Sequence, residues 1–334
     1  MNRFSLIITL VLSVAITCIS CDKNESEIEK EIVGIEGISF ENYPKVDGST
    51  SARALNQMIA CKLLGVRYSW QGLEISDLWG DSEIAEWVVT PKTQDVPKQY
   101  GEDFFNERIM TSQTHGAFMN LIDGNADIIL THRTISPDEK DHANVVGVKL
   151  IETSIALDAF VFVVNKKNPV KSLTVNQIHK IYTRRITNWS EVGGKNADLN
   201  AYTRPRNSGS EEVFREVVMG GLEPAEFSEI FTILSMPVVL INSLHDENAI
   251  CYTFNNYAEI IMRMPDVPKI AVNGIFPNKN TVKNGTYPFI SKVYVAIRSN
   301  LDRNSMAYKL YEWLQSDDAK SIITECGFIP KYGL

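Results

Sequence analysis

Leu55, Met58, Ile59 and Leu63 stand three and four residues apart, so they share one face of a helix predicted over 52–64. Similar signals predict helices over 116–122 and 306–313. A further helix follows Ser208-Gly209-Ser210, where Val213, Phe214, Val217 and Val218 recur at helical spacing and leave the three small residues at the N-cap. Strands are predicted over 127–130, 159–164 and 292–297. The run AFVFVV at 159–164 is apolar at every position, as a strand covered on both faces should be. Asn168-Pro169, Gly193-Gly194 and Asn284-Gly285 mark turns between such elements, and no internal repeat interrupts them. Helix and strand signals that alternate in this way predict an α/β protein, with helices covering largely parallel sheets.

Composition narrows the function. The 334-residue chain is 44% hydrophobic and 22% charged, the balance of a globular protein, and its net charge is −8. It has no block of lysine or arginine, which argues against nucleic acid as a partner. Its five histidines form no metal-ligand spacing, so neither a metal nor a cofactor is expected. Cys61, Cys251 and Cys326 are too far apart for a disulfide framework. Three buried free thiols are expected, with one bridge among them left open.

The first twenty residues join Arg3 to an apolar run that is too short and wrongly flanked for a membrane span, the pattern of a secretory signal. Ile19-Ser20-Cys21, followed at once by a polar stretch, resembles a bacterial lipoprotein signal with Cys21 as the acylated residue. Cys18 stands where such signals usually carry leucine. What remains after 1–20 exceeds the size a single core usually organises, so two domains are expected beyond a tether at 21–35.

Within this acidic chain, YTRPRNSGSEEVFREV at 202–217 places Arg204 four residues ahead of Ser208. The first turn of a helix leaves backbone N–H groups without intrahelical partners and carries partial positive charge, so such an end can hold an anion. An ordinary serine cap beside a solvated arginine would have the same sequence.

Several segments resemble one family. They are YPKVDGSTSARAL at 43–55, NLIDGNADIILTHRTIS at 120–136, LDAFVFVVNKKNPVKSLTVNQIHKIYTRRITNWSEVGG at 157–194 and RPRNSGSEEVF at 204–214, followed by AICYTFNNYA, GTYPFISKVYVAI and SDDAKSIITECGFIP. In this order they are similar to the PstS-like phosphate-binding proteins of bacterial ABC importers, a branch of the type II periplasmic binding proteins. The resemblance implies two α/β lobes around a ligand cleft that shuts by hinge closure. Lobe I would take 36–158 and 265–334, and lobe II 159–264, with crossings near Leu157-Asp158-Ala159 and Met262-Arg263-Met264.

The same resemblance implies an oxyanion site of short hydroxyls, backbone amides and one arginine. Thr50 would give its hydroxyl and amide, and Ser51 its amide. Thr114 would give a hydroxyl, with Ser112 as rival. Arg204 matches the family arginine, and Ser208, Gly209 and Ser210 match its Ser-Gly-Thr. A guanidinium suits the task because its planar fork can make two parallel hydrogen bonds to an oxyanion. Asp158 would orient Arg204, while Arg206 would be a surface residue. Trp189, Tyr182 and Tyr252 would pack the core.

His132 departs from the pattern, since the family's phosphate binders carry aspartate there to accept a proton-bearing oxygen. A neutral imidazole can still accept that bond, whereas an imidazolium can only donate. The alternative turns His132 away and lets Arg133 or Thr131 face the cleft.

The expected function is therefore non-enzymatic. It is a monomeric lipoprotein, anchored to the cell envelope and facing the periplasm or the exterior, that captures phosphate or a related oxyanion for an ABC permease complex. A sensor or surface binding module of the same fold is the alternative. A hydrolase using Ser208 or Ser210 is a third, although no nucleophile elbow is present.

Overall fold

The computed structural model describes residues 34–75, 84–101, 103–227, 245–263 and 268–331. The expected signal segment, Cys21, most of the tether and Met264 lie outside the described residues.

The strands in chain order are β1 (Val46–Gly48), β2 (Tyr68–Ile75), β3 (Ile84–Pro91), β4 (Ile128–Thr131), β5 (Leu150–Val164), β6 (Ser172–Leu173), β7 (Asn200–Ala201), β8 (Ala249–Phe254), β9 (Ala271–Val272), β10 (Ile290–Arg298) and β11 (Ile329–Pro330). The helices are α1 (Arg53–Leu64), α2 (Phe104–Arg108), α3 (Gln113–Ile122), α4 (Pro137–Val146), α5 (Val175–Tyr182), α6 (Gly209–Val213), α7 (Lys279–Lys283), α8 (Met306–Trp313) and α9 (Lys320–Glu325).

Local chemistry explains where these elements begin and end. Leu55, Met58, Ile59 and Leu63 form the buried face of α1, each contributing roughly 1.5–3 kcal/mol by leaving water. The helix stops at Gly65, whose φ of 69° is left-handed and costs glycine nothing, and whose N–H caps the carbonyls of Cys61 and Lys62. At the start of α5 the Thr174 hydroxyl accepts from the Gln177 amide, and the Gln177 side chain accepts in return from Thr174 N at 2.8 Å. After α6 the chain continues into a π-helical stretch over Phe214–Met219, so the predicted helix forms but widens.

The main sheet runs β1-β4-β10-β5-β8-β7, with β11 also against β5. Parallel pairing is confined to its two ends, β1 with β4 and β7 with β8. The interior pairs β4–β10, β10–β5 and β5–β8 are antiparallel. The expectation of a largely parallel sheet is thus corrected. Burial on both faces says that a strand is covered, but not which way its neighbour runs.

Strand β5 ties the sheet together. Up to Ala159 it pairs with β10, and from Phe160 onward with β8. The change of partner falls between Ala159 and Phe160, next to the segment expected as the first crossing. Beyond it lies an aromatic core in which Phe214 stacks on Tyr252 at 4.5 Å between centroids and Tyr182 meets Phe214 edge-on at 4.6 Å.

Strands β2 and β3 form a hairpin of their own, which the sequence pattern did not announce. Trp87 and Trp70 hold the Arg263 guanidinium at 3.9 and 5.2 Å from their ring centres. The Tyr257 hydroxyl donates to Glu86 at 2.9 Å, and Glu86 pairs with Arg53 at 2.7 Å. Cys61, Cys251 and Cys326 are buried free thiols, and burial pushes all three well above the usual thiol range.

Candidate functional site

The first loop is organised by Asp47, which is fully buried in the middle of β1. Its Oδ1 accepts from the amides of Gly48 at 2.7 Å and Ser112 at 2.9 Å, and its Oδ2 accepts from Asn120 Nδ2 at 2.7 Å. One carboxylate thus ties the turn before α1 to the start of α3. Gly48 is required by close approach, since a Cβ there would lie 2.6 Å from the Leu130 carbonyl oxygen and 2.7 Å from Asn56 Nδ2.

Beyond this turn the chain enters α1 through a short 3-10 segment, Thr50–Ala52. Thr50 is partly exposed, whereas Ser51 is buried. The Ser51 hydroxyl lies 2.8 Å from His132 Nδ1 and 3.1 Å from the Ser49 hydroxyl. The inward hydroxyl of this loop therefore belongs to Ser51, which the sequence had credited only with its amide.

His132 follows β4 and is 2% exposed. Its ring packs on Phe254 at 4.2 Å and Phe328 at 5.5 Å between centroids. Nε2 has no hydrogen-bond partner among the described residues and lies 3.9 Å from Asp158 Oδ2. Burial lowers the imidazole to about 3, so it is neutral at physiological pH.

The two alternatives to His132 are engaged by neighbours of their own. Arg133 is held in two contacts by Glu139, at 2.6 and 2.7 Å, and the Thr131 hydroxyl donates to the Arg133 carbonyl. Asp158 does not have the expected part either, since its neighbours are His132 and two backbone amides rather than Arg204. Its Oδ1 accepts from Ala159 N at 2.8 Å, and both oxygens receive Asn256 N at 3.2 Å. Burial raises this carboxyl to about 7, and the bonds from those amides oppose the rise.

The start of α3 faces the start of α6. Thr114 is buried in the first turn of α3, and a Cβ on Gly209 would lie 2.2 Å from its Oγ1. Only glycine lets the two helix starts come this close. Ser112, the rival to Thr114, is occupied instead by Asp47 and by Asn120, which donates to its hydroxyl at 3.1 Å. At the edge of the same seam Asn207 donates to Asp138 at 3.1 Å, beside a groove of about 610 Å³ between the α4 start and residues 206–223.

Ser208 caps α6 and accepts from the Glu211 amide at 3.3 Å. Ser210 is buried, and its hydroxyl has no hydrogen-bond partner among the described residues. The Arg204 amide donates to the Tyr252 hydroxyl at 2.9 Å and to Glu211 Oε2 at 3.4 Å, while Tyr252 itself donates to Glu211. Burial pulls the Arg204 guanidinium below its ordinary value, and Tyr252, Tyr257 and Glu211 partly offset this. Arg206 is exposed and pairs with Glu223 at 2.9 Å.

Tyr252 therefore does more than pack the core, because its hydroxyl fixes the Arg204 loop together with Glu211. The Ser208-x-x-Glu211 spacing is a legible capping-box signal. Here, however, the Glu211 carboxylate turns to Arg204 N, Tyr252 and Arg215. Trp189 is core, its indole N–H donating to the Asn248 carbonyl at 2.9 Å.

Residues 94–318 match a family model described as a PBP superfamily domain. The chain belongs to the PBP superfamily. Among PBP relatives it is 29% identical over 240 residues to Protein SphX of Synechococcus elongatus, which covers 67% of this chain and 69% of that protein. It is 27% identical over 182 residues to the phosphate-binding protein PstS of Bacillus subtilis, covering 54% of this chain and 58% of PstS. Two solved PBP structures share the fold at 21% identity. A phosphate ABC transporter substrate-binding protein with bound phosphate from Clostridium perfringens superposes with a TM-score of 0.60, covering 88% of this chain and 99% of that one. An ABC-type phosphate transport receptor from Vibrio cholerae gives 0.57, covering 85% and 98%.

Proposed function

We propose that this PBP is the solute-binding receptor of an ABC-type importer and that its ligand is a tetrahedral oxyanion, inorganic phosphate first. The observation that carries the proposal is the meeting of the α3 and α6 starts at Thr114 and Gly209, with Arg204 ahead of α6. A small anion is costly to bury unless each oxygen is hydrogen-bonded, and helix-start amides with the partly buried guanidinium of Arg204, five residues ahead of Gly209, are suited to supply those bonds. The buried hydroxyl of Ser210 is a further donor for the ligand. Thr114, Arg204, Ser208, Gly209 and Ser210 would hold the anion, together with Thr50 and Ser51 from the segment after β1 and His132 from the segment after β4. Relatives and structural neighbours named as phosphate-binding proteins favour the same ligand.

The lobes would be 36–158 with 265–334, and 159–264, hinged where β5 changes partner. Capture and closure need no bond chemistry, so the protein acts as a receptor whose closed shape the permease reads. No helix among the described residues is long and apolar enough to cross a membrane. Attachment would come through lipid on Cys21 and the working form would be a monomer; the mass of the mature N-terminal peptide tests the lipid.

The ligand is tested by mass spectrometry of the anion released from protein purified without added phosphate, and by calorimetry with phosphate and sulfate at pH 6 and pH 8. Phosphate binding is expected at both pH values. No heat with either anion would overturn the receptor reading.

A further inference from the structure

The two ring nitrogens of His132 meet different groups. Nδ1 is 2.8 Å from the Ser51 hydroxyl, whereas Nε2 makes no hydrogen bond among the described residues and has Asp158 Oδ2 3.9 Å away, with Phe254 and Phe328 against the ring. A neutral imidazole has one N–H and one lone pair, so the nitrogen that carries the proton decides what Ser51 can do. With the proton on Nε2, facing the carboxylate, Nδ1 is an acceptor and takes the Ser51 proton. The Ser51 oxygen can then only accept. With the proton on Nδ1 the relation reverses, and the Ser51 O–H is free to donate.

We propose that Asp158 is a positioning residue that sets the tautomer of His132, and that Ser51, through this relay, is the acceptor for a proton-bearing oxygen of the bound anion. The inference rests on the oxyanion reading above and deepens it. When ionised, Asp158 turns Ser51 into an acceptor that suits a P–OH group and repels an oxygen of fully ionised sulfate. When protonated, it releases Ser51 as a donor that suits either anion.

Few other charges bear on the relay. Lys269 and Glu259 act on Asp158 with opposite sign and pair with each other. The amides of Ala159 and Asn256 hold the carboxyl oxygens, and the buried thiol of Cys326 lies near. On the far side of the ring stand Ser51 and Ser49.

Asp158→Asn tests this in the mature protein. The amides of Ala159 and Asn256 would hold the new side chain by its oxygen, so its NH2 faces Nε2 and donates, forcing the proton to Nδ1. Nitrogen-15 NMR of the imidazole, with His132 identified by the signals lost in His132→Gln, should find the Nε2–H tautomer in the wild type at pH 8 and the Nδ1–H tautomer in Asp158→Asn. The phosphate-to-sulfate affinity ratio should fall about tenfold in the variant, the equivalent of one hydrogen bond. Between pH 6 and pH 8 the ratio should rise in the wild type more than in Asp158→Asn, since titration of phosphate itself is common to both. Ser51→Ala, which leaves Asp158 in place, should also lower the ratio and remove its extra pH dependence.

An Nδ1–H tautomer in the wild type at pH 8, or an unchanged tautomer in Asp158→Asn, overturns the relay. A switched tautomer with an unchanged ratio overturns the role of Ser51. Silence of both anions with the wild type overturns the receptor reading and with it the selectivity, while the tautomer measurement still decides the Asp158–His132 link.

Discussion

Gly209→Ala isolates the contact between the two helix starts. The backbone at Gly209 is helical rather than left-handed, so alanine brings no strain of its own. Its Cβ would instead meet Thr114 Oγ1 at 2.2 Å and Thr114 Cβ at 3.1 Å. Rotating the threonine hydroxyl away relieves the first contact but not the second, so α3 and α6 must also separate by a few tenths of an ångström. Overpacking of this kind costs about 1–3 kcal/mol. If the seam opens when ligand leaves, the cost falls on the closed, liganded state alone, and phosphate affinity drops about 5- to 150-fold. Calorimetry measures that loss, and thermal melts with and without phosphate locate it. The ligand-free Tm should stay near the wild-type value, while the rise in Tm on adding phosphate shrinks. Phosphate affinity within twofold of wild type would refute the reasoning, as would an equal loss of Tm with and without ligand, because the contact would then be ordinary packing in both states.

If Arg204 gives charge-assisted bonds to the anion, Arg204→Ala should weaken phosphate binding by roughly 2–5 kcal/mol, because the anion is left short of partners. Arg206→Ala should cost under about 1 kcal/mol, because that side chain is exposed and only pairs with Glu223; calorimetry on the two variants side by side separates them. The buried pair also predicts opposite pH slopes. Asp158 is raised from 3.8 to about 7 in the fold, so its contribution is full below pH 4 and is lost as pH rises to about 7. His132 is lowered from 6.5 to about 3, so its contribution is full above pH 6.5 and is lost as pH falls toward 3. The two slopes oppose each other between pH 4 and 6.5. Urea midpoints should therefore fall with rising pH in His132→Gln and with falling pH in Asp158→Asn, each measured against the wild-type slope.

The chain announced much of this by local pattern. Leu55, Met58, Ile59 and Leu63 specify α1 because helical spacing is a matter of near neighbours, and the apolar run 159–164 specifies a covered strand for the same reason. Ser208 ahead of a helix was legible as a cap. Strand direction was not legible, because pairing depends on which distant segment arrives alongside. Nor was the hairpin that receives Arg263 between Trp70 and Trp87.

The electrostatics of the site were decided only by tertiary contact. Ser51 and His132 are 81 residues apart in sequence and 2.8 Å apart in the fold. Asp47 reaches Ser112 and Asn120 across a similar stretch of chain. Whether His132 is charged, which way Ser51 points and whether Asp158 is ionised at neutral pH all follow from removal of water by residues that are remote along the chain. Residue type supplies a donor or an acceptor, but burial and the partner it meets determine which of the two it becomes.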